Sequence, residues 1–280
     1  MIKITPGELD VLARYIKEIS GIYLDESKAY LIETRLGGMV EEFGYTSYSQ
    51  LCYKANSDPT KSIERRIIDC ITTPETSFFR DTSPFDLLEY KILPDVIDKR
   101  TAKSSGMLPT PIRIWSAACS RGQEVYSIAI ALKEFLPDLT KFNIRLLGTD
   151  ISDATVAHAS YGQYNRFEIE RGLSRERLEK YFTRRGSNWR IKDEIRAMVT
   201  FKRKNLLMPF TGLDRFDIIF CRNVAIYFTP EDRTRLFDKI AQILEPDGYL
   251  VIGSTESLTT VCTRFEPKRY LKYILYQLKP

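Results

Sequence analysis

The sequence predicts an α/β protein: a mainly parallel sheet with helices on both faces, preceded by an all-helical region and interrupted by a small insertion. Three observations carry this. From Ile112 onward, short β-branched and apolar runs alternate with helical repeats, as in a parallel sheet wound by helices. Three runs break abruptly into small or polar residues: Ile114-Trp-Ser-Ala-Ala-Cys-Ser-Arg-Gly-Gln-Glu124, Leu146-Leu-Gly-Thr-Asp150 and Phe216-Asp-Ile-Ile-Phe-Cys-Arg-Asn-Val-Ala-Ile-Tyr-Phe228. Open α/β sheets bind ligands at the carboxyl ends of their strands, so these breaks imply one crevice fed by three loops. Before residue 72, only helical periodicity is visible.

The elements follow in order. Thr5-Pro-Gly-Glu8 is a helix start, with Thr5 as N-cap, Pro6 at the first position and Glu8 completing a capping box. Leu9, Leu12, Ile16 and Ile19 then repeat at helical spacing until Gly21. A second helix is expected over 26–43, ending at Gly44, with shorter ones over 47–55 and 60–71. A helix over 84–99 carries Leu88, Ile92, Val96 and Ile97 on its apolar side and leads into a linker or surface loop over 101–111. Strands are expected over 112–116, 144–148, 199–202, 216–221, 249–253 and 270–277, with helices near 124–135, 153–160 and 230–244 between them. The domains are therefore a helical one over 1–75, a connecting helix and linker over 76–111, and an α/β domain over 112–280 with an insertion at about 165–200.

Of the 280 residues, 43% are apolar and 28% charged, the balance of an ordinary globular chain large enough for one large or two modest domains. No apolar run approaches the ~20 residues that span a bilayer. The first eight residues hold no apolar h-region, so no secretory signal is expected and a reducing cytoplasm is the expected location. Cys52, Cys70, Cys119, Cys221 and Cys262 are scattered without metal-ligand spacing and His158 is the one histidine, so no metal site is expected. His158 falls in an ordinary helix pattern and reads as structural. The net charge of +5 is uneven: residues 1–110 hold 14 Lys/Arg and 17 Asp/Glu, whereas 161–204 hold 13 against 6. That basic segment is either a solvated face or a dock for an acidic partner, protein or nucleic acid.

The loop from Ser116 to Glu124 follows a strand and opens a helix. Small residues let backbone approach a ligand, and a helix N-terminus offers free N–H groups. With Gly122 alone, it is not a dinucleotide fingerprint. Asp150 ends the next strand, where a carboxylate can accept both hydroxyls of a ribose. Capping the following helix is its alternative role, for which Ser152 competes. Thr72-Thr-Pro-Glu-Thr-Ser-Phe-Phe-Arg-Asp81 joins the helical and α/β parts. Its Arg80 either makes a surface ion pair or holds a carboxylate in its planar fork.

Taken together, Thr72-Thr-x-Glu-Thr-Ser-Phe-Phe-Arg, Trp-Ser-Ala-Ala-Cys-Ser-x-Gly, Thr-Asp-Ile-Ser, Asn205-Leu-Leu and Phe-Cys-Arg-Asn-Val-x-Ile-Tyr-Phe resemble the chemotaxis receptor methyltransferases, the CheR family. The resemblance runs over essentially the whole chain. It implies a Rossmann-like class I methyltransferase sheet and S-adenosylmethionine-dependent methylation of glutamate side chains on methyl-accepting chemotaxis receptors, leaving S-adenosylhomocysteine. It further implies that Thr76, Arg80, Gly122, Glu124 and Asp150 contact the cofactor, with Asn205, Leu206, Arg222 and Asn223 closing around it. Arg80 and Tyr227 would line the place of methyl transfer. The N-terminal helices and the insertion would face the cytoplasmic domain of the receptor, so that the membrane is met only through it. A glutamate carboxylate, pKa about 4.3, is already ionised at pH 7, so no general base is required. The site must supply in-line positioning, which contributes on the order of 7–11 kcal/mol, and exclude water. In this reading Arg80 orients the acceptor carboxylate, and Tyr227 donates a hydrogen bond or packs beside the sulfonium.

The chain departs from the family pattern in two places. Pro74 stands where the family usually has Asn, removing a backbone donor and a side-chain amide. Arg121 brings a cation to the cofactor loop, set either near the sulfonium or toward solvent. The segment Arg184-Arg-Gly-Ser-Asn-Trp-Arg190 is short and lacks proline, like the versions that do not need a tethering peptide at the receptor's C-terminal tail, and Trp189 reads as a packing residue. Three other functions stand beside this one: a catalytically weakened module that binds cofactor or receptor, a nucleic-acid methyltransferase, and a receptor-docking scaffold. The basic segment has few aromatics for stacking bases, and no Pro-Pro-Tyr/Phe loop is present, so no nucleic acid is expected as partner. Nothing in the sequence demands more than a monomer.

Overall fold

The computed structural model describes residues 2–103 and 109–279. Helix α1 (Pro6–Ser20) starts where the capping box placed it: Thr5 Oγ1 accepts the Glu8 N–H at 3.4 Å, and Glu8 Oε2 accepts the Thr5 N–H at 3.0 Å. Gly21, at φ 80°, ends it. Its Leu12 and Ile16 pack against α2 (Ala29–Glu42), α3 (Tyr48–Ser57) and α4 (Ser62–Ile71) through Ile32, Leu36, Leu51, Ile67 and Ile68. Each such fully buried side chain contributes roughly 1.5–3 kcal/mol. The helix expected over 26–43 opens instead with a separate 3-10 turn, Glu26–Lys28, capped by Asp25.

The helix expected over 84–99 is three pieces. Helix α5 (Ser83–Leu87) and α6 (Leu93–Lys103) flank a wider π turn, Leu88–Ile92. Of the linker expected over 101–111, residues 104–108 lie outside the described residues. Strand β1 (Thr110–Ala117), α7 (Gln123–Phe135), β2 (Phe142–Asp150) and α8 (Asp153–Tyr161) follow. Next comes the insertion: β3 (Gln163–Tyr164), α9 (Arg166–Glu170), α10 (Arg175–Tyr181), β4 (Phe182–Arg185), β5 (Asn188–Ile191) and α11 (Asp193–Arg196). Its strands form a small antiparallel sheet in the order β3-β5-β4. The chain returns through β6 (Val199–Arg203), β7 (Phe216–Cys221), α12 (Pro230–Ile243), β8 (Leu244–Ile252), β9 (Phe265–Tyr270) and β10 (Tyr273–Leu278).

The main sheet has the order β6-β2-β1-β7-β8-β10-β9, the first five strands parallel and the last two an antiparallel hairpin. The single strand expected over 270–277 is therefore wrong. Leu271, at φ 52°, reverses the chain between Tyr270 and Tyr273. An apolar residue in the left-handed region costs roughly 1–2 kcal/mol, so Leu271 gave no turn signal. Alternation of side chains supplies two cores. Ile112, Ile114, Ile218 and Phe220 face α6 and α7, whereas Trp115, Ile219 and Cys221 face Leu236, Phe237 and Ile240 of α12.

At the amino-terminal edge of the strands, Asp217 is fully buried. It accepts hydrogen bonds from Arg100 Nε, Arg113 Nη2 and the Arg113 N–H, while Arg100 also forks onto Asp247 at 2.8 and 2.9 Å. This network joins α6, β1 and β7 at the end of the sheet opposite the loops that the sequence singles out.

Candidate functional site

A cleft of about 210 Å³ opens at the carboxyl ends of β1, β2, β6 and β7, and the helical domain forms its far wall. Its floor is the loop after β1, where Ala118 (φ 57°) and Ser120 (φ 50°) both take left-handed backbone. Asp150 closes β2 and is 8% exposed. It accepts the Ser120 N–H at 2.9 Å, the Ser152 N–H at 3.0 Å and the Thr155 hydroxyl at 3.0 Å. Burial pushes this carboxyl above its ordinary pKa, and the donors from Ser152, Ser120 and Thr155 oppose that rise. The cap of α8 is Ser152, whose Oγ accepts the Thr155 N–H at 3.1 Å, so Asp150 is not needed there.

Glu124, in the first turn of α7, accepts from Ser116 Oγ and from Arg222 Nη1, each at 2.8 Å. Arg222 reaches further: its Nη2 donates to the Arg80 carbonyl and to Asp81 Oδ2, both at 2.8 Å. Arg80 is thus held by its backbone. Phe79 (φ 47°) and Asp81 (φ 61°), on either side of it, are both left-handed. Strain of this kind persists only where surroundings over-determine it. The Phe79 N–H donates to Ser127 Oγ at 2.9 Å, and the Arg177 guanidinium lies 3.8 Å above the Phe79 ring. Phe78 packs edge-on against Tyr164 (4.9 Å) and Phe182 (5.4 Å) of the insertion. The paired aromatics therefore clamp the strap, residues 72–81 between the helical and α/β parts, leaving Arg80 to line the cleft. Among the described residues its guanidinium makes one hydrogen bond, to the Glu75 carbonyl at 3.3 Å.

Tyr227 lies on the 3-10 turn Ala225–Tyr227 after β7. Its carbonyl accepts the Tyr23 N–H at 2.9 Å, joining the two walls. Asn205, after β6, donates from Nδ2 to the Ile19 carbonyl at 2.8 Å and so makes a second such tie. Thr76, Leu206 and Asn223 (φ 56°) complete the lining, Asn223 with its N–H on Glu256 Oε2 at 2.7 Å.

The cleft thus gathers Thr76, Arg80, Glu124, Asp150, Asn205, Leu206, Arg222, Asn223 and Tyr227. Gly122 is not among the lining residues. Its N–H is engaged by the Cys119 carbonyl, and a Cβ there would lie 2.9 Å from Ala159 Cβ, so this glycine lets α7 start against α8. Arg121 also points away from the cleft, to Glu168 of α9 at 3.1 Å. His158 sits outside the lining, edge-on to Tyr164 at 5.4 Å. Trp189 is half-buried against the core beneath the insertion. Much of the basic segment is paired: Arg166 with Glu170, Arg171 with Glu75, Arg175 with Glu179 and Arg177 with Glu134. Among the described residues, no three His, Cys, Asp or Glu side chains gather as a metal group.

The sequence reading missed the helical domain's share of the cleft. Ile22, Tyr23, Leu24, Lys28 and Arg35 line it. Arg35 holds the strap by donating to the carbonyls of Ile71 (2.5 Å) and Thr72 (3.2 Å). The available signal was an apolar Ile22-Tyr23-Leu24 directly after a helix stop. Among the described residues, Ser120 Oγ and Arg222 Nε, in two residues of the lining, are buried without a hydrogen-bond partner.

Comparison with known proteins agrees. The family model described as the CheR methyltransferase all-alpha domain matches residues 7–72, and that of the CheR methyltransferase SAM-binding domain matches 74–274. The chain belongs to the CheR methyltransferase family. A chemotaxis protein methyltransferase of Pseudomonas putida is 36% identical over 270 residues, 95% of each chain. One from Vibrio parahaemolyticus is 37% identical over 282 residues, 99% of each. One from Borreliella burgdorferi is 36% identical over 262 residues, 92% of this chain and 90% of the other. As a CheR-family protein, the chain carries that family's all-helical domain and its S-adenosylmethionine-binding α/β domain.

Proposed function

We propose that this CheR-family methyltransferase esterifies glutamate side chains on the cytoplasmic domain of methyl-accepting chemotaxis receptors. The observation that carries the proposal is the convergence of Asp150, Glu124, Arg222, Arg80 and Tyr227 on one cleft between the helical domain and the strand ends. When bound, S-adenosylmethionine supplies a methyl group on a cationic sulfonium. Asp150, beside the backbone of Ser120, receives the ribose hydroxyls, and Glu124 with Arg222 holds the polar end. Both oxygens of Asp150 already sit among ordered donors, so the carboxylate is aimed before any ligand arrives.

The acceptor glutamate is ionised at pH 7, and no proton has to be removed from it. Arg80 holds its carboxylate with guanidinium N–H groups left free by the single bond to Glu75. Strained, clamped backbone on both sides of Arg80 fixes where that side chain leaves the chain, and orientation is where the rate gain lies. Tyr227, 37% exposed at the cleft mouth, packs beside the reacting atoms while Tyr23 and Ile22 shield them from water. The products are a glutamate methyl ester and S-adenosylhomocysteine.

The β4–β5 hairpin turns on Gly186 and Ser187 alone, which supports action without a tethering peptide. Among the described residues no helix is long and apolar enough to cross a membrane, in keeping with a cytoplasmic enzyme that meets the membrane through its receptor. Diversion of Arg121 to Glu168 removes one ground for the weakened regulatory module, and Pro74 remains the other. Calorimetric titration with S-adenosylhomocysteine, with Asp150→Ala as control, tests the cofactor site. Receptor-containing membranes incubated with labelled S-adenosylmethionine then test the substrate, with base-labile methyl esters expected. Binding without ester formation would move the reading to the regulatory module.

A further inference from the structure

Behind the cleft wall, three consecutive carbonyl oxygens converge on one lysine. Nζ of Lys239, on α12, lies within 3.1 Å of the carbonyl oxygens of Leu206, Leu207 and Met208. An ammonium has three N–H donors and no acceptor, so the match is one donor to each oxygen. The same ammonium stands 4.9 Å from the centroid of Phe210, whose ring packs edge-on against Trp115 at 5.1 Å. Lys204 secures the far end of the loop, donating to the carbonyls of Pro209 at 2.9 Å and Thr211 at 3.4 Å. Residues 206–208 lie in no strand or helix ladder, so without Lys239 these oxygens lose their protein donor.

This loop is part of the site. Leu206 and Asn205 line the cleft, and the Lys204 N–H donates to the Asp150 carbonyl at 2.8 Å, so the loop leaves the sheet directly beside Asp150. Lys239 is not itself a lining residue and acts from the opposite side of the wall. We propose that Lys239 is a positioning residue for the cofactor: by gathering the carbonyls of residues 206–208 it sets the wall that receives the adenosyl part. This rests on the cofactor site proposed above.

The test compares the intact protein with Lys239→Met, Lys239→Gln and Lys239→Arg. S-adenosylhomocysteine is titrated into each by calorimetry, steady-state methyl transfer is measured, and circular dichroism reports folding. Loss of the charge-assisted bonds in Lys239→Met raises the Kd on the order of tenfold. The KM for S-adenosylmethionine rises in parallel, and kcat falls by less. Lys239→Gln lies between, and Lys239→Arg, still cationic and rich in donors, recovers most of the affinity. If Lys239→Met does not fold, the Gln and Arg variants make the same comparison. Unchanged affinity in a folded Met or Gln variant overturns the role, as does a fall in kcat at unchanged affinity. Failure of the unmodified protein to bind S-adenosylhomocysteine is a separate result: it removes the cofactor site, and this inference with it.

Discussion

Arg222, itself buried, and the partly buried Glu124 form an ion pair at 2.8 Å, and the same arginine grips the backbone of Arg80. One side chain from the β7 loop thereby links the start of α7 to the strap that joins the two domains. Removing it leaves the partly buried Glu124 carboxylate without its cation. A broken buried pair costs about 3–5 kcal/mol. Arg222→Ala should therefore lower the Tm by many degrees and abolish S-adenosylhomocysteine binding. A variant with unchanged Tm would show that the pair is dispensable.

Arg80→Ala removes the fork without removing what holds the strap, because Phe78, Phe79 and the carbonyl grip of Arg222 remain. The expected result is a modest loss of cofactor affinity, from the one contact removed, with kcat down by about two orders of magnitude, the usual effect of misplacing a reactant. Titration and turnover on the same preparation separate the two. Loss of affinity with normal turnover would reverse the assignment.

Asp150 gives a pH signature. Its folded-state pKa is raised by burial, so the folded protein holds this proton more tightly than the unfolded chain does. Its contribution to stability consequently declines as pH rises from the ordinary Asp value, about 3.9, through the raised folded value. The carboxylate that accepts ribose hydroxyls is the ionised form, so cofactor affinity runs the other way and falls on acidification through that folded value. Asp150→Asn should flatten the pH dependence of S-adenosylhomocysteine affinity and weaken it at neutral pH. An unchanged acid limb in the variant would assign that limb to another group.

Gly122→Ala places a Cβ at φ 89° and within 2.9 Å of Ala159 Cβ. Strain and overlap together should cost about 2–4 kcal/mol, read by denaturant unfolding. Ala159→Gly in the same chain should return the part due to overlap and leave the part due to φ. Additive losses in the double variant would contradict the contact.

Asp217 supplies the opposite control. It is fully buried among Arg100 and Arg113 at the end of the sheet remote from the cleft. Asp217→Ala should cost about 3–5 kcal/mol in urea unfolding. Cofactor affinity in the protein that remains folded should stay within a factor of two or three.

Much of this was legible in the residues, for local reasons. The capping box at Thr5 and Glu8, the stop at Gly21 and the abrupt ends of β1, β2 and β7 are signals carried by a few adjacent side chains. What escaped depended on distant packing. Leu271 turns the last hairpin against its own preference, and the π turn at Leu88–Ile92 leaves no mark in the periodicity. Lys239 lies 33 residues from Leu206 in sequence, so its link to the wall exists only once α12 is docked. The helical domain's wall escaped for the same reason: Tyr23 and Tyr227 meet only in three dimensions.

That meeting has an evolutionary side. Because the Asn205 side chain meets the Ile19 carbonyl and the Tyr23 N–H meets the Tyr227 carbonyl, the two halves of the chain share one joint. A chimera that takes its helical half from one relative and its α/β half from another inherits a foreign joint, even if each half folds perfectly. Recombination should then succeed most readily when residues 19–23 travel together with residues 205–227, so that the heritable unit of this enzyme is a seam rather than a domain.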